Sequence, residues 1–482
     1  MRATILLGVL AVTLGLSVTT AAATVANAGS PPPTDEFPAI PGIDWSRFGY
    51  QWSESYIAGD AHSYNATSPL PANGAWTVTP DATTAPFKTR IRVLTPTDPS
   101  RFNGTVYVEW LNVSALQDAA PSLGYGKDEL TRQGAIYVGV SAQAAGVNHL
   151  LSQYPSRYGS SGANLAHPGD SYSYDIFSQV GQALRSDAST IFGPQFSIQR
   201  LIAMGQSQSA GRLVSYIDAL ANQGVYDGYI VHSRGAGGAA LRQAPLGAIT
   251  ASSPTLIRTD LTQPVFTFQS EFDSRLPRQD DTSTFRWWEV AGTTHIDAYS
   301  NSVGSTDYGD LAGAQSLFDK MVHPFSGPFP PFGSCVFGVN AGGLHWVFQA
   351  ALREMNAWVA NGTPPPIAPR LSTAGGAPGG ALVLDAFGNA TGGIRTPHVD
   401  VPIAKLEATG NIAPPGSPLN FCGTFGKTTP FTAQQLAALY KNHGQFVSKW
   451  SAATDAAVAA GFILPEDGVL VADSGATSAI GK

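Results

Sequence analysis

The chain has 482 residues, 43% of them hydrophobic and only 13% charged, with a net charge of −7. That length and apolar content supply a large core, while the negative balance, with no basic run, argues against nucleic acid or anionic lipid as a partner. Two cysteines, Cys335 and Cys422, and no HExxH or CxxC pattern leave no ligand set for a structural zinc, so neither a metal nor another cofactor is expected in the chemistry.

Arg2 precedes an uncharged apolar run from Ile5 to Val18, and small residues lead to Ala26-Asn27-Ala28 ahead of Gly29. This is the pattern of a secretory signal peptide over 1–28, with cleavage near Ala28. The apolar run is short for a membrane span of about 20 residues, so export without stable membrane insertion is expected. In an exported chain the two cysteines are expected to pair as a disulfide; the alternative is two buried thiols. Residues 29–36, with three successive prolines, read as a flexible linker. The rest, 37–482, reads as a single domain whose C-terminal part, from about 370, is an elaboration.

Alternating or buried apolar runs predict strands at 89–95, 104–110, 134–141 and 200–204. Helical spacing appears at 174–186, with Ile176, Phe177, Val180 and Leu184, and again at 211–221. Further strands are expected at 264–268 and 285–290, and a helix at 345–360. Thr432 and Gln435 form a candidate capping box for a helix, and another helix is expected at 446–460. Strands alternating with helices predict an α/β fold, with a mostly parallel sheet covered by helices on both faces.

The segment Gly205-Gln206-Ser207-Gln208-Ser209-Ala210-Gly211 joins a strand to a helix. A nucleophile elbow needs this layout: a serine on a sharp turn, with small residues two positions either side. Ser209 stands where glycine is usual, and is the alternative nucleophile. Two later strands each release a polar loop: Glu271-Phe272-Asp273 after the first and Ala291 to His295 after the second. The order serine, acid, histidine at the carboxyl ends of strands fits a triad of Ser207, Asp273 and His295. Glu271 is the alternative acid, and His345, at a helix start, the alternative histidine. Oxyanion donors are expected from the backbone of Gln208 and from the loop Leu111-Asn112-Val113, with Asn112 singled out.

With these residues placed, the chain resembles a family of bacterial alpha/beta hydrolase domain-containing proteins. The stretches that carry the resemblance lie at 102–114, 136–147, 203–217, 287–297, 344–366 and 392–402, and include AMGQSQSAGRLVSYI and WWEVAGTTHID. The segment Gly205 to Gln208 is also similar to the elbow of secreted cutinases. The resemblance implies an α/β-hydrolase fold and ester hydrolysis, and says little about substrate.

The expected function is therefore a secreted serine esterase acting through an acyl-enzyme on a small-molecule or lipid-like ester. The same triad serves an acyltransferase, and a non-catalytic secreted binding protein is the remaining alternative. Trp287, Trp288, Trp346 and the aromatics at 325–332 are candidates for an apolar acyl pocket, although buried aromatics more often build core. Nothing in the sequence fixes an oligomeric state.

Overall fold

A computed structural model describes residues 23–29, 42–66, 69–274, 277–329, 333–417 and 421–482. Most of the expected leader, and all of the expected linker except Gly29, lie outside these. Among the described residues, nine strands form one sheet in the order β1-β2-β3-β5-β4-β6-β7-β8-β9. They are β1 (Thr24–Gly29), β2 (Tyr50–Ala66), β3 (Val78–Pro96), β4 (Thr105–Trp110), β5 (Ile136–Val140), β6 (Arg200–Gln206), β7 (Gly228–His232), β8 (Val265–Ser270) and β9 (Phe285–Val290). From β5 to β9 all pairings are parallel; β1, β2 and β3 join at one edge as an antiparallel extension. Strand β1 includes the last residues of the expected leader, so cleavage after Ala28 would remove nearly all of it and leave β2 as the edge.

The parallel strands are buried on both faces, which explains their near-continuous apolar sequences. Successive side chains point to opposite sides. Tyr107, Ile202, Ile230 and Phe266 enter one core, and Val106, Leu201, Tyr229 and Val265 the other. Helices Ser173–Ser186 and Gln208–Leu220 cover the second face. The first is covered by Pro121–Arg132, Leu311–Val322 and Leu344–Asn361, and by the late helices His443–Ala459 and Pro465–Thr477 through Phe446, Trp450 and Val471. The C-terminal region thus shares a core with the sheet. The capping box forms as expected, with Thr432 and Gln435 exchanging side-chain and backbone bonds at the helix Ala433–Leu439.

The aromatic candidates for an acyl pocket are core instead. Trp287 and Trp288 are adjacent on β9, so the pleat sends one to each face, and both are fully buried. Trp346 packs in the first core, and Phe329 in a small cluster around Cys335 and Cys422. Residues 330–332 lie outside the described set. The two cysteines form a disulfide with Cα atoms 5.7 Å apart. No helix among the described residues is long and apolar enough to cross a membrane.

Candidate active site

Strand β6 runs into Ser207, which has φ 61° and ψ −118°, and the helix Gln208–Leu220 starts immediately after it. A non-glycine residue with positive φ costs of order 1–3 kcal/mol and persists where its surroundings over-determine it. Here they do: the Ser207 N–H donates to His232 O at 3.0 Å, and Ser207 O accepts from Gly211 N at 3.1 Å. Gly205 is required, because a Cβ there would lie 2.9 Å from Ser209 O. Ser209 does more than replace a small residue. Its hydroxyl donates to Gln206 O at 2.9 Å and accepts from Gln206 N at 3.2 Å, tying the turn together in a way glycine cannot. Fully buried and committed to that bond, Ser209 is a brace for the elbow.

The loops leaving β8 and β9 meet Ser207. His295 Nε2 is 2.7 Å from Ser207 Oγ, and His295 Nδ1 is 2.7 Å from Asp273 Oδ1. A carboxylate only accepts, so Nδ1 carries the proton and donates to Asp273, leaving Nε2 to accept from the serine hydroxyl. Asp273 Oδ2 accepts from Ser270 Oγ at 2.6 Å. Burial opposes ionisation of Asp273, but the charge and hydrogen bond of His295 and the Ser270 hydroxyl outweigh it and hold its pKa below the ordinary value. Burial likewise opposes a charged His295, but the Asp273 charge and hydrogen bond prevail and raise its pKa above 6.5.

Glu271 faces another way. Its Oε2 accepts from Gly292 N at 2.6 Å, which braces the loop leading to His295. His345 is remote from the serine in its bonding. Fully buried, it donates from Nδ1 to Tyr125 O at 2.8 Å and stacks on Tyr299 at 3.6 Å. Burial and the nearby Lys127 charge push its pKa well below that of free imidazole. With Asp128 and Asp307 it has three potential ligand atoms within 4.8 Å of one another. Lys127 Nζ already lies 3.3 Å from Asp128 Oδ1 and 3.9 Å from Asp307 Oδ2, so an ammonium supplies the positive charge there.

Asn112 reaches the elbow but as a fastener. Its amide nitrogen donates to Gln206 O at 2.9 Å, and its backbone N–H donates to Ala119 O at 2.9 Å. The next residue along, Val113, presents a backbone N–H 3.5 Å from Gln208 Oε1. Gln208 opens the helix, where a backbone N–H has no intrahelical acceptor. Its side chain donates to Gln143 Oε1 at 2.9 Å.

A cavity of about 420 Å³ opens over the serine. Gln208, Gly211, Phe272, Asp273 and His295 line it, and so does a second stretch of chain, Ser233, Gly235, Gly237, Gly238 and Ala239. Sequence reasoning missed this second stretch, which follows β7. It is held from beneath by Arg234, which is fully buried and donates to Gly235 O, Ala236 O and Thr255 O. His232 was missed as well. Its ring is buried against Phe348 at 4.3 Å, and burial lowers its pKa to about 3, which keeps it neutral beside the site. A buried histidine at the end of a parallel strand was the available signal.

Among solved structures, the chain is similar to three hydrolases. Acetyl xylan esterase 1 from Thermoanaerobacterium sp. JW/SL YS485 matches with 9% identity over 44% of this chain and 53% of that one, at a TM-score of 0.25. A glucuronoyl esterase from Solibacter usitatus matches with 11% identity over 54% and 70%, at 0.27. A member of the a/b serine hydrolases from Xanthomonas campestris matches with 12% identity over 44% and 71%, at 0.23. At these values the likenesses say nothing of this chain's substrate. No curated protein matches by sequence. A family model described as alpha/beta hydrolase domain matches residues 17–472, nearly the whole chain, and the protein belongs to that family.

Proposed function

We propose that the protein is a serine esterase that hydrolyses small carboxylic esters through an acyl-enzyme. The observation that carries this reading is the unbroken hydrogen-bond chain Asp273–His295–Ser207, with 2.7 Å at each link. A serine hydroxyl needs a base to take its proton as it attacks, and His295 Nε2 is in place for that. Attack on the ester carbonyl gives a tetrahedral intermediate and an imidazolium, which the Asp273 carboxylate stabilises. The Gln208 backbone N–H and a group of the loop Leu111-Asn112-Val113 are the proposed donors to the oxyanion; such a donor is typically worth about 2.7–4 kcal/mol in the transition state. His295 then returns the proton to the leaving alkoxide, and water, activated by the same base, releases the acid.

The cavity supports a short acyl group. Phe272 and Ala239 are the apolar side chains among its lining residues. Since each buried methylene is worth about 0.8 kcal/mol, a long alkyl chain gains little where few apolar side chains cover it. Hydrolysis of p-nitrophenyl esters from acetate to palmitate tests both points. Turnover is expected to peak at acetate or butyrate. A maximum at palmitate would refute the short-acyl reading, and the absence of turnover on every ester would refute the esterase.

The pH dependence follows from the direction of the His295 shift. The base works only when neutral, so activity is lost as pH falls through its pKa. That pKa is raised, so the acid limb of log kcat/KM is expected to bend above pH 6.5 with unit slope. A bend below pH 6 would mean that Asp273 does not support the ring in this way.

The reading includes export. The Cys335–Cys422 bridge supports an oxidising compartment, and the 1–28 leader would take the chain there. Sequencing the secreted protein should find Gly29 first.

A further inference from the structure

His295 lies on a loop whose neighbouring residues are both fastened to a single carbonyl. Thr294 Oγ1 donates to Thr424 O at 2.9 Å, and Ile296 N donates to the same oxygen at 3.2 Å. Thr294 Oγ1 also lies 2.9 Å from Ala408 O. Thr294 is fully buried, so no solvent is at hand to replace these acceptors. The approach is close: a Cβ on Gly426, two residues past Thr424, would fall 2.9 Å from the Thr294 side chain.

Thr424 ends a single helical turn that begins at Cys422, and Cys422 is bridged to Cys335. The side chain of Ile296 packs against the cluster around that bridge, which includes Phe329, Val339 and Phe425. A second tie runs in parallel. Asn340 N donates to Phe425 O at 3.0 Å, and Asn340 O accepts from Ala298 N at 2.8 Å. The two segments that clamp the histidine loop, one near Cys335 and one near Cys422, are therefore the two that the disulfide joins. Strand β9 ends at Val290, five residues before His295. The clamp supplies order where the sheet has stopped.

We propose that the Cys335–Cys422 bridge is a positioning element for His295. It holds the Cys422–Thr424 turn, whose Thr424 carbonyl fixes the residues on either side of the histidine, and so keeps both of its 2.7 Å contacts in register. The kinetic consequence rests on the esterase reading above; the geometric one does not. The bridge touches neither Ser207 nor the cavity, so loosening it acts on the proton transfer and leaves substrate binding nearly unchanged.

The test uses the full chain with Thr294→Val, Thr294→Ser, the paired replacement Cys335→Ala with Cys422→Ala, and Thr294→Val added to that pair. Two quantities are read: kcat and KM on p-nitrophenyl acetate, and the low-field proton resonance of the His295 Nδ1–H···Asp273 bond. Thr294→Val and the cysteine pair are each expected to lower kcat roughly 10–100-fold, the size of effect a displacement of about 1 Å produces, with KM within about twofold. Both should weaken the low-field resonance, and Thr294→Ser should retain most of the rate. The combined variant should lose little more than the worse of its parents, because both act on one linkage. A folded cysteine pair with wild-type kcat and an unaltered resonance would overturn the proposal, as would losses that multiply in the combined variant. Should the cysteine pair not fold, the same two readings before and after phosphine reduction of the wild-type bridge decide the matter. A wild type without Ser207-dependent turnover would sink the esterase reading alone, since the resonance still reports on the clamp.

Discussion

Ser207→Ala is expected to lower kcat for p-nitrophenyl acetate by about 10⁶-fold, the scale on which loss of a serine nucleophile disables a triad enzyme. The size follows from the absence of a substitute. Ser209, two residues on, holds its hydroxyl against Gln206 and is fully buried. Ser233 is fully buried and its hydroxyl faces the Asp273 carboxylate, whereas His295 Nε2 is bonded to Ser207 Oγ. The substitution removes one hydroxyl from a half-buried position, and the strained backbone that presents it stays pinned by His232 O and Gly211 N. Folding should therefore be preserved, and a thermal melt alongside the kinetics checks this. Residual rate over water, about 10³–10⁴-fold in comparable enzymes, would come from the oxyanion donors and binding. A loss of less than tenfold would mean that another group attacks.

The second large effect is on the acid. Asp273→Asn is expected to cost about 10⁴ in kcat, because an amide facing Nδ1 no longer fixes the tautomer with Nε2 free to accept. The same change removes the charge and hydrogen bond that raise the His295 pKa. With burial left to act alone, the pKa falls, and the acid limb of the pH profile should move below pH 6.5. Glu271→Gln is the control, because glutamine still offers an oxygen to Gly292 N in place of Glu271 Oε2. The loss for Asp273→Asn should exceed that for Glu271→Gln by at least about a hundredfold, a gap in line with a triad acid against a loop brace. Equal losses would show that the loop as a whole, and not the Asp273 carboxylate, is what matters.

Much of this was legible in the sequence because parallel strands and their loops leave local marks. Strands β4, β5, β6, β8 and β9 are short apolar runs closed by polar or glycine-rich turns, and each reads within a residue or two of its observed limits. The elbow reads from the spacing of Gly205, Ser207 and Ser209, and the competing residues separate only in three dimensions. The sequence ranks Asp273 ahead of Glu271 without excluding either; in the structure Gly292 N takes Glu271 and His295 takes Asp273.

What stayed hidden depended on distant partners. Strand β2 carries Gly59, serines and charged residues that break any clean alternation, and its pairing with β3, of which only 89–95 reads as a strand, supplies the order. Helix Pro121–Arg132 holds two glycines and a run of charged residues that look solvated. It is buried because Glu129 pairs with Arg132 and Arg353, and Lys127 with Asp128. The glycine wall of the cavity reads as a featureless loop until Arg234 is seen filling its underside. Trp287 and Trp288 suggested a pocket because aromatics line many, but the strand's period of two sends them into separate cores.

The most direct test of the central claim is covalent. Folded wild-type protein is treated with a fluorophosphonate, digested, and its peptides mapped by mass spectrometry. One adduct per chain is expected, on Ser207, that disappears in Ser207→Ala and forms more slowly as pH falls through the raised His295 pKa. A folded protein that forms no adduct, or one that carries it on Ser209, would contradict the assignment of Ser207 as an activated nucleophile.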